Sequence, residues 1–210
     1  MNFIKLFTVL AAVLTLNVVC SSCSSDDDSK SNNQQIEIKV FPNNYGEVSF
    51  YIEADKLNLN WGDGTIEELR FSSEDPSEAD MRMLHTYSNQ NLQTIIISGE
   101  NIRGLYIEED GYYTDGSFRE IRLRNCPQLV DLKCTNQRLT VLEINGAANS
   151  LEYVYIPSNS LDSNVLNNIF KALPSIGNNK DAEIIIGGNP GTDISDKSIA
   201  ESKGWTVSDY

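Results

Sequence analysis

The chain has few basic residues, one histidine and no apolar run long enough to span a membrane. Sixteen Lys and Arg stand against 30 Asp and Glu in 210 residues, a formal net charge of -14. That balance argues against nucleic acid as a partner, because a phosphate backbone binds positive surfaces. The single histidine, His85, excludes a metal site built on two histidines and a relay of imidazoles.

Residues 1–22 have the three parts of a secretory signal in order: a positive start at Lys5, the apolar run Leu6 to Val19, and small residues before Cys23. We interpret 1–22 as a lipoprotein signal peptide and Cys23 as the lipidated residue. Cys20 is the competing anchor, but the branched Val19 before it fits a signal peptidase poorly. A retained transmembrane helix is the weaker interpretation, because spanning needs about 20 apolar residues.

Residues 23–34 form an acidic polar linker that contains Asp26-Asp27-Asp28. The acidic run resembles the export signal that sends lipoproteins of Bacteroidota to the outer face of the outer membrane. The resemblance implies an outer-membrane protein that faces the exterior, attached to the membrane only by its lipid. A solvated acidic linker is the alternative, and a flexible run lacks the fixed oxygen cage that calcium needs.

Residues 35–91 read as short antiparallel strands, because apolar and polar residues alternate within each segment. An Asp63-Gly64 pair between two of these segments favours a tight hairpin turn. The predicted strands are 36–40, 48–52, 57–61, 66–71, 84–87 and 92–97.

Two motifs in this part, Trp61-Gly62-Asp63-Gly64-Thr65 and His85-Thr86-Tyr87-Ser88, resemble the polycystic-kidney-disease domain family. The resemblance covers roughly residues 35–98 and implies an immunoglobulin-like β-sandwich used as a spacer or adhesion module. It also implies that His85 bonds a turn. The chain departs from the family after His85-Thr86-Tyr87, where Asn91 to Ile97 lacks the usual aromatic residue.

From Leu92 to Leu161 apolar residues recur at spacings of three and then two. The template L-x-x-L-x-L-x-x-N-x-L fits from Leu151, with Asn159 in the asparagine place, and from Leu129, with Gln137 there. The two starts are 22 residues apart. A turn of this length cannot bury its own apolar stripe, so successive turns must stack, with amide side chains closing the corners.

This pattern resembles the leucine-rich-repeat family, in particular its bacterial surface versions, over about residues 92–161. The insertion 108–117 interrupts its phase. A helix over 163–173 capped by Ser163, a strand over 183–186 and a last helix over 196–203 would close the repeats. The fold class we predict is mostly β: a small antiparallel sandwich over 35–91, then a short leucine-rich-repeat solenoid with a helical and strand C-terminal cap over 92–210.

No set of side chains in the sequence predicts a catalytic, cofactor or metal site, so we expect a non-enzyme. The adjacent pair Glu67-Glu68 would point to opposite sides of a strand and cannot form an acid-base dyad. Gly187 to Gly191 lacks the lysine of a phosphate loop. Cys126 and Cys134 fall on inward repeat positions, which favours buried free thiols over the alternative of a disulfide between them.

Tyrosines are the candidate ligand-binding residues. The third and fifth residues of L-x-x-L-x-L point outward, which puts Tyr106, Tyr153 and Tyr155 on an outer face, and Tyr112 and Tyr113 lie in the insertion. Scattered surface aromatics are the alternative.

The expected function is that of a monomeric, non-catalytic surface lipoprotein, an adhesion-type protein that binds a protein or glycan ligand through the repeat face. An accessory or structural subunit of an outer-membrane complex is the second hypothesis. A hydrolase is the weakest, because no acid, base and nucleophile converge in the sequence.

Overall fold

A computed structural model describes residues 34–71, 81–108, 118–145, 148–177 and 181–210. Three predicted site residues, Cys23, Tyr112 and Tyr113, lie outside the described residues, as does the signal peptide over 1–22. The described residues all belong to one structural unit.

The described ranges contain thirteen strands and two short helices, in agreement with the predicted mostly β fold. Several strands, such as Gln34–Val40 and Glu47–Glu53, alternate between buried and half-buried residues, as the period of two in the sequence predicts. Their bounds are β1 (Gln34–Val40), β2 (Glu47–Glu53), β3 (Lys56–Asn60), β4 (Ile66–Arg70), β5 (Met81–Thr86), β6 (Gln93–Glu100), β7 (Gly104–Ile107), β8 (Phe118–Arg124), β9 (Asp131–Cys134), β10 (Val141–Asn145), β11 (Tyr153–Tyr155), β12 (Ala182–Ile185) and β13 (Trp205–Ser208), and the helices are α1 (Ser163–Ala172) and α2 (Ser198–Glu201).

The strands form two mixed sheets. The first sheet has the order β10-β8-β1-β6-β3-β4, and the second has the order β13-β12-β11-β9-β7-β2-β5. Strands β1 to β6 pair in antiparallel fashion, whereas β7, β9, β11, β12 and β13 are parallel neighbours, as are β8 and β10. We call β1 to β6 the antiparallel half and β7 to β13 the parallel half.

Both sheets continue across the predicted module boundary between residues 91 and 92. In the first sheet β1 lies between β6 and β8, and in the second sheet β2 pairs with β7 through Tyr51 and Tyr106. An uncovered edge on β1 or β2 would leave a row of backbone N–H and C=O groups without strand partners. The parallel half covers these edges, so the two halves share both sheets.

Inward side chains of the two sheets meet in one apolar core. Leu105, Leu132, Val154 and Ile184 occupy the same row on successive parallel strands, and each is fully buried. The apolar repeat positions between 92 and 161 point inward as predicted, with one correction. Leu92 is 47% exposed, because it precedes β6, which is antiparallel to β1 and therefore belongs to the antiparallel half.

Buried amide side chains close the corners of the parallel half. Asn159 Oδ1 accepts hydrogen bonds from the backbone N–H of Gln137 and Leu139 at 3.1 and 3.0 Å, and its Nδ2 donates to the Cys134 carbonyl at 2.6 Å. Asn189 repeats the arrangement one turn later: its Oδ1 accepts from Leu161 N at 3.1 Å. The repeat template predicted Gln137 and Asn159 at the corners, and both are buried; Asn189 was not predicted.

Helix α1 forms where it was predicted, with a correction at its start. The cap is Asp162 rather than Ser163, since the Asp162 carboxylate accepts from Val165 N at 2.9 Å. Leu166, Ile169 and Phe170 are the buried face of the helix, which packs beside β10.

The rest of the C-terminal part follows the prediction in order, with the strand displaced by one residue and the last helix shorter. The strand predicted over 183–186 is β12, and the last helix spans Ser198–Glu201 rather than 196–203. Cys126 and Cys134 are both free and buried, which confirms that preference over a disulfide.

Candidate functional site

The outward side of the second sheet carries most of the residues that the repeat pattern assigned to a binding surface. On β7, β9 and β11 every second side chain points away from the core. Parallel register aligns Tyr106, Lys133 and Tyr155 in one row across these strands. Together with Tyr153, two residues before Tyr155 on β11, these side chains form a surface that we call the tyrosine face.

Contacts within the tyrosine face order its side chains. Lys133 Nζ lies 5.5 Å from the ring centroid of Tyr106 and 5.8 Å from that of Tyr153. The rings of Tyr153 and Tyr155 are nearly parallel, at 8°, with centroids 6.2 Å apart. Lys133 also pairs with Glu108 at 3.6 Å. Cation–π contacts of this kind contribute about 0.5–1 kcal/mol each at exposed sites, so the aromatic rings are positioned before any ligand arrives.

A shallow groove of about 470 Å³ borders the tyrosine face. Four of its lining residues carry carboxylates, and we call it the acidic groove. It is lined by Val130, Asp131, Glu152, Tyr153, Asp181, Ala182, Glu183 and Thr206.

Hydroxyl groups orient two of the carboxylates in the acidic groove. Asp131 Oδ2 accepts a hydrogen bond from the Tyr106 hydroxyl at 3.3 Å. Glu183 Oε1 accepts from Ser208 Oγ at 2.6 Å and from the Tyr210 hydroxyl at 3.0 Å. Partial burial, and then the neighbouring carboxylate of Glu183, raise the pKa of Tyr153. Tyr153 therefore remains a neutral phenol at physiological pH and can donate a hydrogen bond.

The structure brings together the three described tyrosines of the prediction and adds charged residues that the prediction missed. Lys133 and Asp131 occupy the same fifth and third template positions as Tyr155 and Tyr153, one repeat earlier. The repeat pattern therefore contained the signal for both. Glu183 carried no such signal, because helix α1 separates it from the repeats and only strand pairing aligns it with Tyr153.

A second polar cluster closes the hairpin between β3 and β4. His85 Nε2 lies 2.7 Å from Asp63 Oδ2, and the His85 ring stacks on Trp61 with centroids 4.7 Å apart. The Tyr87 hydroxyl donates to the Trp61 carbonyl at 2.7 Å. The hydrogen bond with His85, followed by one from Thr65 N, lowers the pKa of Asp63 from 3.8 to about 2. These contacts hold a turn, which is the role predicted for His85.

The backbone conformation at position 62 of this turn requires glycine. Its φ is +87°, in the left-handed region, and a Cβ there would lie 2.4 Å from the Thr94 carbonyl oxygen. Only glycine fits such an approach between β3 and β6 without displacing backbone.

Another exposed apolar patch lies at one end of the antiparallel half, where the loop before β2 meets the loop before β6. Tyr45 is 76% exposed, and Phe41 and Leu92 also reach solvent. Gln90 Nε2 donates to the Asn44 carbonyl at 3.0 Å and so links the two loops. We call Phe41, Tyr45 and Leu92 the loop-end patch. Arg119 lies over the Phe41 ring of this patch, with Cζ 5.5 Å from the ring centroid.

Among the described residues, no group of three or more His, Cys, Asp and Glu side chains is arranged to hold a metal ion. Within the same ranges, neither helix has the length and apolar character needed to cross a membrane. Comparisons with protein-family models, curated proteins and solved structures found no match to the chain.

Proposed function

We propose that this chain is a non-catalytic cell-surface lipoprotein that binds a protein or glycan ligand through the tyrosine face. The observation that carries the proposal is the alignment of Tyr106, Lys133 and Tyr155 in one row across three neighbouring parallel strands, with Tyr153 beside it. Tyrosine rings offer a large contact area with little side-chain entropy to lose, and a rigid sheet keeps them in place. Such a surface suits recognition rather than turnover.

The proposed architecture is a leucine-rich-repeat solenoid for the parallel half and a sandwich resembling the polycystic-kidney-disease family for the antiparallel half. Support for the first comes from the buried amides of Asn159 and Asn189 at successive corners. Support for the second comes from the contact of His85 with Asp63 in the turn after Trp61. Stacked repeats present extended surfaces, which is the use we assign to the tyrosine face.

The proposed anchor is a lipid on Cys23, with the protein on the outer face of the outer membrane. Metabolic labelling with a palmitate analogue tests the anchor in cells that express the full chain. We expect Cys20→Ala to keep the label and Cys23→Ala to lose it. If Cys23→Ala kept the label and Cys20→Ala lost it, the lipidated residue would be Cys20.

Ligand capture tests the tyrosine face. Residues 34–210 would be immobilised and exposed to a panel of matrix proteins and glycans, and Tyr153→Ala/Tyr155→Ala compared with the wild type. The matched control is Tyr45→Ala/Leu92→Ala, which removes exposed apolar side chains from the loop-end patch. We expect the wild type and the control to retain a ligand that the tyrosine variant releases.

If the tyrosine variant retained the ligand and the control released it, the ligand would bind at the loop-end patch instead. Crosslinking in cells separates the accessory-subunit alternative, since that function requires one stoichiometric partner from the same envelope.

A further inference from the structure

The tyrosine face is bordered by negative charge that the described residues leave without a positive partner. Within the described ranges Asp131, Asp181 and Glu183 form no ion pair, and two of them accept hydrogen bonds from hydroxyl groups. Two described cations nearby pair with other carboxylates: Lys133 with Glu108 at 3.6 Å, and Arg103 with Glu53 and Asp55 at 2.7 and 2.6 Å. Asp131 and Glu183 therefore place negative charge beside the aromatic rings with no ion pair among the described residues.

Strand pairing arranges part of this charge in a specific order. Tyr153 on β11 is the register partner of Asp131 on β9 and of Glu183 on β12. All three side chains point outward, and neighbouring strands lie about 4.8 Å apart. The ring of Tyr153 thus has a carboxylate on each side, in a row that crosses three strands.

A row with an aromatic ring between two carboxylates is suited to a cation. An ammonium or guanidinium group over the ring gains cation–π attraction and lies within reach of both carboxylates. Lys133 already uses the aromatic surface in this way from the neighbouring row. The walls of a groove focus the field of like charges, which raises the local concentration of positively charged ligands.

We propose that the tyrosine face binds a cationic polypeptide segment, with a lysine or arginine side chain seated over Tyr153 between Asp131 and Glu183. This inference rests on the proposed function and specifies its partner as a basic protein surface or peptide rather than a glycan. Charge complementarity decides the choice, because a neutral sugar would leave the carboxylates uncompensated and an acidic glycan would be repelled. The groove has a volume of about 470 Å³, which leaves space for more than one side chain of the ligand.

The test uses residues 34–210 with three immobilised probes: a peptide of alternating lysine and serine, the same peptide with glutamate in place of lysine, and the neutral polysaccharide dextran. Asp131→Asn/Glu183→Gln removes two charges while keeping hydrogen-bonding side chains of the same shape. Glu68→Gln/Glu201→Gln is the matched control, because it removes the same charge from exposed positions on β4 and α2. Tyr153→Leu removes the ring and keeps an apolar side chain.

We expect the wild type to bind the lysine peptide and to ignore the other two probes. Asp131→Asn/Glu183→Gln should weaken binding roughly tenfold, and the control no more than about twofold. Tyr153→Leu should also weaken binding, and added salt should reduce the affinity of the wild type more than that of the charge variant. Near-ultraviolet circular dichroism of each variant establishes that it has folded.

Equal weakening in the charge variant and in its control would overturn the inference, because the lysine peptide would then respond only to net charge. Binding of dextran that needs Tyr153 and ignores the carboxylates would also overturn it while leaving the proposed function intact. If neither the lysine peptide nor any ligand of the capture panel bound in a way that depends on the tyrosine face, both this inference and the proposed function would be wrong.

Discussion

The antiparallel and parallel halves share both sheets and one core, yet they close their corners by different means. Turns in the antiparallel half are short and open to water: Gly62 bends the backbone, and Asp63 with His85 clamps it from outside. Corners in the parallel half must carry the chain from one sheet to the other, which takes backbone groups into the interior. Buried amides such as Asn159 satisfy those groups.

The outward surfaces differ as well. Arg103, in the loop between β6 and β7, pairs with Glu53 and Asp55 of the antiparallel half. The parallel half presents Tyr153 between two carboxylates that have no ion pair among the described residues. At one place on the shared core a cation is already paired within the fold, whereas beside Tyr153 two carboxylates remain available for the cationic ligand that we propose.

Asparagine substitutions should show the largest difference between the two kinds of corner. Asn159→Ala leaves buried backbone donors and an acceptor without partners, so we expect it to lower the free energy of unfolding by about 3 kcal/mol or more. Asn60 Oδ1 accepts from Gly62 N at 2.9 Å in an exposed turn. Because water replaces that bond, Asn60→Ala should cost about 0.5–1 kcal/mol. Guanidinium unfolding of both variants measures the difference.

A similar loss in both asparagine variants would mean that buried and exposed corners contribute alike. Asn189→Ala provides an independent check, since its amide donates to the carbonyls of Ile156 and Ile186 at 2.9 and 2.8 Å. It should behave like Asn159→Ala.

Lowering the pH should cause a smaller loss of stability, which arises in the antiparallel half. The pKa of Asp63 in the folded protein, about 2, lies below its usual 3.8. The carboxylate therefore stabilises the fold above about pH 4, and that contribution is lost as the pH falls toward 2. Solvent screening at this exposed turn limits it to about 1 kcal/mol or less.

The measurement is urea unfolding of the wild type and Asp63→Asn at pH 5 and pH 3. The gap in unfolding free energy between them should narrow at the lower pH. Asp193→Asn, at an exposed aspartate in the parallel half, is the matched control. A gap that stayed constant would show that the contact with His85 contributes nothing through charge.

Much of the secondary structure and most of the core could be predicted, because inward and outward positions follow from apolar spacing. The rows that contain Leu132 and Val154 match the repeat template, and the corner residue Asn159 was visible in it. The exposed Leu92 was mispredicted because the spacing of three and two also occurs by chance at the start of an antiparallel strand. Local spacing records the period of a segment and carries no information about its strand partners.

The candidate site likewise contains residues that could be predicted from the sequence and residues that could not. Tyr106, Tyr153 and Tyr155 were found from their outward template positions, and Lys133 and Asp131 were available by the same rule. Asn189 and Glu183 were out of reach, because α1 lengthens the last turn and breaks the repeat spacing. Their places depend on β12 pairing with β11.

Periodicity in the chain was sufficient to specify which side chains avoid water, since the alternation along a strand follows from backbone geometry and needs no partner. Which strands became neighbours was settled only in three dimensions, where covering the open edges of β1 and β2 joined two apparent modules into shared sheets. The same pairing set Glu183 beside Tyr153 and so completed the acidic border of the tyrosine face.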